Sequence, residues 1–188
     1  MELLGIISAF GLSASAGLNA YIPLLVVALL VKFTNLVTLS PPWDTLANWW
    51  IIGLLIVLSV IEFFADKAPV VDHINDIIQT FIRPTAGAII FAASAKVITD
   101  VHPVLSLALG LLVAGGVHAA KSLAVRPAVS LATAGVGDIP VSIAEDVFAT
   151  VISILAVVVP VVLACLAIII TAWIVMKIIH HRSRVSEV

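Results

Sequence analysis

Charge is what this sequence has least of. Only 11% of its 188 residues are Asp, Glu, Lys or Arg, against about 25% in an ordinary soluble domain. So few ionisable groups could not cover the surface of a water-soluble fold, which excludes a soluble globular domain and a disordered chain. Cysteine is nearly missing as well: Cys165 stands alone in an apolar run, so no internal disulfide framework exists. A formal net charge of −2 supplies no basic field, which sets nucleic acid aside as a partner. The chain lacks a phosphate-cradling Gly-rich loop, a Cys/His metal-finger spacing and a G-x-S-x-G elbow. It therefore carries no enzyme signature and implies no cofactor. What it has in abundance is apolar side chains, 62% of the total, and their natural solvent is the lipid bilayer.

The first run, MELLGIISAF, holds Glu2 and no Lys or Arg. A secretory signal needs a positive n-region and a small-residue cleavage site, so this run is expected to stay as a span. Apolar stretches occupy 3–31, 49–64, 84–98, 103–125 and 142–179. A straight helical crossing takes about 20 residues. The first and last stretches are longer, at roughly 45 and 55 Å if helical throughout. Each contains a breaker, Gly17 through Pro23 in one and Pro160 in the other. The expectation is an all-α, polytopic helical membrane protein. It forms a single domain with five or six spans, its first and last helices broken. The tail, with His180, His181, Arg182 and Arg184, is placed in the cytoplasm by its basic residues, and the protein in the inner membrane. Lys67, Arg83 and Arg126 are expected on that same side. Residues 33–48 are then external, with Trp43, Trp49 and Trp50 at the interface.

Between the second and third stretches, residues 69–82 place Val70, Val71, Ile74, Ile77, Ile78 and Phe81 on one helical face. Asp72, His73, Asn75, Asp76, Gln79 and Thr80 take the other. This reads as an amphipathic helix in the interface plane, or as a lid over a cavity, with Pro84 ending it and starting the next helix. In the first stretch, Ser8, Gly11, Ser15 and Asn19 share a face. Pro23 frees the carbonyl of Asn19, which must then meet protein or a water-filled cavity. Close helix packing and a solute site both explain this stripe. In the third stretch, Ala86, Gly87, Ala88, Ala92 and Ala93 predict burial among helices. In the fourth, Gly110, Ala114, His118 and Ser122 share one face. His118 is a core histidine or a ligand, and Lys121 and Lys96 snorkel to an interface.

The carboxylates carry the strongest functional signal. Glu62 and Asp66 are four apart on one helical face. They would repel when both are ionised, so a proton, a cation or Lys67 is expected between them. Glu145 and Asp146 follow Ser142 in a capping-box spacing, which explains them as helix-start residues or as site members. The segment 16–23 resembles 134–140, each is followed by acids, and Arg-Pro occurs at 83–84 and 126–127. An inverted repeat of the kind found in transporters is one reading of this and chance the other.

Taken together, GLNAYIPLL, EFFADKAPVVDHINDIIQTFIRPTAG, GGVHAAKSLAVRP and VSIAEDVFA resemble a family of small prokaryotic membrane proteins, domain of unknown function 4126. The resemblance spans nearly the whole chain, implies a multi-pass membrane protein and brings no established activity with it. The run from Glu62 to Lys67 is more distantly similar to the E-x-G-D-[KR] helix of small cation/proton exchangers. It has one more residue between the acids and lacks the glycine. The expected function is a transporter or channel for an ion or small solute, with proton coupling one mode. The alternative is a lipid-interacting or scaffold protein without transport. Asn19, Glu62, Asp66 and His118 are expected at one cavity, with Lys121, Glu145 and Asp146 beside them. Glu62 and Asp66 favour a cation, while Arg83, Lys121 and Arg126 could hold an anion. The bilayer and a second copy of the chain, in a homo-oligomer (dimer), are the expected partners.

Overall fold

A computed structural model describes residues 2–67, 69–95 and 102–185. Every regular element among them is helical: α1 Glu2–Leu18, α2 Ile22–Phe33, α3 Trp49–Ala65, α4 Pro69–Ala95, α5 Pro103–Ala120, α6 Arg126–Thr133 and α7 Asp138–Val185. Asn75–Ser94, Pro103–Thr133 and Asp138–Leu163 are long and apolar enough to cross a membrane, by length and composition. Gly5–Leu18, Ile22–Phe33 and Trp49–Ala65 are shorter apolar helices. Lys96 lies outside the described residues.

The first apolar stretch breaks where the sequence indicates. Asn19 Oδ1 accepts hydrogen bonds from the backbone N–H groups of Tyr21 (3.1 Å) and Ile22 (3.0 Å). That caps α2, whose first turn contains Pro23. Asn48 starts α3 in the same way, accepting from Trp50 N at 3.0 Å. Trp49 and Trp50 are exposed at that end.

α1 lies at the centre, packed on α4, α5 and α7. Ser13 Oγ lies 3.2 Å from the carbonyl of Gly87 on α4 and 2.9 Å from that of Gly110 on α5. Phe10 meets Phe91 edge-on, at 5.0 Å between centroids. These registers run α4 antiparallel to α1 and α5 parallel to it. Gly87 and Gly110 sit where the two backbones nearly touch, and a Cβ on either would collide with the facing helix. α7 runs antiparallel to α1: Gly11 faces Ala156, Ser15 Oγ donates to the Ala149 carbonyl at 2.7 Å, and Asn19 meets Asp146. The small-residue stripe is thus a packing face up to Ser15 and a polar contact at Asn19.

Three sequence expectations are corrected. Residues 69–82 are no separate helix, because α4 continues through Pro84 to Ala95. An internal proline removes one hydrogen bond and bends a helix, and packing on both sides of it keeps the helix whole. α7 likewise passes through Pro160 unbroken. It begins at Asp138, so Ser142 is inside the helix, buried with its hydroxyl unpartnered, and forms no capping box. A continuous α7 sets its two ends far apart. Glu145 is in contact with Arg126, and Val185 lies about 60 Å further along the same helix.

Candidate functional site

The C-terminal ends of α1, α3 and α5, the N-terminal ends of α2 and α7, and the part of α4 before Pro84 meet in one place. Arg83 is at its centre, with no solvent exposure. Its Nε and Nη2 both donate to Glu62 Oε1, at 3.2 and 2.9 Å, and Nη2 also reaches Asp66 Oδ2 at 3.3 Å. The charge expected between the two acids is therefore Arg83. Lys67 points away and pairs with Asp146 at 3.0 Å.

Asp66 is shared. Its Oδ2 lies 3.3 Å from Arg126 Nη2 and 4.0 Å from Lys121 Nζ, and its Oδ1 accepts from Asn75 Nδ2. Glu145 Oε2 takes Lys121 at 2.8 Å and Arg126 at 3.1 Å. Arg126 Nη1 reaches Asp76 Oδ2 at 3.4 Å. Lys121 is buried, which corrects the expectation that it snorkels, and it donates to the Leu18 carbonyl at 3.2 Å. That carbonyl would normally accept from Ile22 N, which Asn19 has taken. The break in α1 thus feeds the site through Leu18, one residue before the Asn19 carbonyl singled out in the sequence.

Lys121 and Arg126 face the same way because residues Lys121–Val125 form a π turn, in which Arg126 N donates to the Lys121 carbonyl. In an α-helix, residues five apart point about 140° from each other. The wider turn brings them nearly into line, and such turns are frequent at functional sites.

His118 Nδ1 lies 3.3 Å from Arg83 Nη1, and its Nε2 lies 3.2 Å from Thr80 Oγ1. A guanidinium can only donate, so Nδ1 is the acceptor and Nε2 carries the proton. Nε2 then donates to Thr80 Oγ1, which donates to the Asp76 carbonyl at 2.8 Å. His118 orients Arg83.

Three carboxylates use only one of their oxygens. Glu62 Oε2, Glu145 Oε1 and Asp76 Oδ1 are buried and have no hydrogen-bond partner among the described residues. Arg83, Lys121 and Arg126 face four acids, Glu62, Asp66, Asp76 and Glu145. Among the described residues, the cluster is richer in acceptors than in positive charge.

Asn19 and Asp146 lie apart from this cluster, on its outer side. Asn19 Nδ2 donates to Asp146 Oδ1 at 3.0 Å. They line an open cleft of about 340 Å³ together with Ser59 and Phe63. All seven residues singled out in the sequence therefore occupy one end of the helix bundle, in two groups. The sequence offers Arg83 and Arg126 only as holders of an anion and Asn75 and Asp76 only as members of a polar helix face; their pairing with one another's charges in the cluster comes from the structure. Among the described residues, no three His, Cys, Asp or Glu side chains are grouped to hold a metal ion.

No curated protein and no solved structure matches the chain. One family model does, over residues 6–179, spanning every helix that contributes to the cluster. The chain belongs to the family described as domain of unknown function DUF4126.

Proposed function

We propose that the chain is a small membrane carrier for a cation or a proton, worked by the cluster around Arg83. The observation that carries this reading is the set of unpartnered oxygens on Glu62, Glu145 and Asp76. Polar and ionisable groups within membrane spans are costly, and persist where they bind or relay something. A buried acceptor without a donor costs about 1–3 kcal/mol. Three of them around interrupted helices form a site that a positive charge completes. Arg83 holds Glu62 and Asp66 while the site is empty. An incoming cation, or a proton, takes over one acid and loosens α3 from α4. The cluster lies at the end of α3 opposite Trp49 and Trp50, about 20–25 Å along it, so it opens near one face of the membrane. The two similar segments, 16–23 and 134–140, each fall where one helix ends and the next begins. That supports a two-repeat carrier design.

Reconstitution in liposomes with a pH dye and a panel of cations tests this. The wild type is expected to carry flux, and Glu62→Gln with Asp66→Asn to abolish it. Flux that survives both changes defeats the proposal. A second reading draws on the cations, each of which already has an acid partner: the cluster then only bonds helices together in a scaffold or lipid-binding protein. Absence of flux for every ion would favour that reading.

A further inference from the structure

We propose that the outer cleft binds a small organic ammonium ion in the place that the Lys67 ammonium group now fills. Lys67 Nζ lies 3.0 Å from Asp146 Oδ2, donates to the Phe63 carbonyl at 3.0 Å, and sits 3.3 Å from the centroid of the Phe63 ring. An anion, a carbonyl and an aromatic face are the three partners that recognise a primary ammonium. The chain supplies that ligand from itself, on a flexible stem that follows the end of α3. Swinging Lys67 out moves no helix.

The receiving groups stay in place without it. Asp146 is held from the other side by Asn19 Nδ2. Ser59 lines the same cleft, and its buried hydroxyl has no partner, so it offers a further acceptor for an N–H. The outer walls are apolar, with Phe64 66% exposed at the mouth. A volume of about 340 Å³ is at the small end of ligand sites. It admits an ammonium carrying a short hydrocarbon chain, the chain directed outward along Phe64. Hydrated alkali ions suit aromatic walls poorly. The inference gives the carrier reading a substrate class and rests on that reading for translocation only, since binding is measured without flux.

Calorimetry on the full chain in mild detergent, with hexylammonium chloride as probe and hexanol as its uncharged counterpart, tests this. The wild type is expected to bind hexylammonium at least tenfold more tightly than hexanol. Lys67→Met removes the internal competitor and should tighten hexylammonium binding about tenfold. Lys67→Met with Asp146→Asn leaves no unpaired charge, should keep the wild-type unfolding temperature, and should not bind. Should Lys67→Met alone be poorly folded, hexylammonium is expected to raise its unfolding temperature and hexanol to leave it unchanged. Equal affinity for hexanol, no gain in Lys67→Met by either readout, or binding that survives in the double variant overturns the proposal. Binding without flux in liposomes keeps this site and removes the carrier. Flux of inorganic cations without hexylammonium binding does the reverse.

Discussion

Arg83 holds both acids at the end of α3, Glu62 and Asp66, from a fully buried position, and the consequence can be measured. Removing one member of a buried pair costs about 3–5 kcal/mol, because the remaining charge is left uncompensated. Arg83→Met should therefore lower the unfolding temperature in detergent sharply. Adding Glu62→Gln should restore part of the loss, since one stranded charge is then gone. If the double variant is no more stable than the single one, the pair is not what holds α3 to α4. The two acids were legible because four-residue spacing puts them on one helical face. Arg83 was legible only as a cation able to hold an anion, because it lies on another helix whose register against α3 no spacing in the sequence fixes. One signal pointed to it: two acids buried together need a cation, and arginine is the side chain suited to a buried site. Lys121 was misread for a related reason, since its spacing from Arg126 is wrong for a shared face unless the helix widens between them.

Helix interruptions do different work in different elements. At Pro23 the chain breaks because Asn19 caps the next helix. At Pro84 and Pro160 it does not, because no capping side chain competes, and around Pro84 buried residues on both flanks also hold the helix against its neighbours. A proline alone therefore did not decide where helices end; the residue four before it helped to. The π turn at Lys121–Val125 is the element most open to test. Inserting one alanine after Leu123, which is exposed, puts Lys121 and Arg126 six apart and should turn Arg126 away from Asp66 and Glu145 by roughly 100°. Loss of flux together with a lower unfolding temperature is expected, whereas Leu123→Ala should change neither. Packing between α1, α4 and α5 gives a matched pair of glycine changes. Gly87→Ala should destabilise the protein through its collision with Ala114 and Gly110. Gly53→Ala, with open space around it, should be neutral or stabilise by up to about 1 kcal/mol through helix propensity. Equal effects would mean that the α4–α5 contact is looser than described.

Across the whole molecule, α7 is the element hardest to fit into a bilayer. Its 48 residues make about 72 Å of helix, against a hydrocarbon thickness of about 30 Å. If it crosses once, a cysteine placed at Gly135 and one placed at Ser183 face opposite sides of the membrane. An impermeant thiol reagent applied to intact cells, in a background lacking Cys165, should then label one of them and not the other. Labelling of both from one side would mean that the chain turns back within α7. Every helix from α1 to α7 has a group at or beside the cluster, and the order in which a ribosome delivers those groups matters. Glu62, Asp66 and Asp76 emerge first, and Arg83 finds them already made. Lys121 appears before Glu145, and Lys67 before Asp146, so each waits for the last helix. A nascent chain stalled before α7 thus carries Lys67 before its counter-charge exists, and Lys121 with Asp66 at 4.0 Å in place of its closer partner Glu145. Release truncated at Val136 should leave a product that membrane quality-control proteases recognise and clear, while the full chain escapes them.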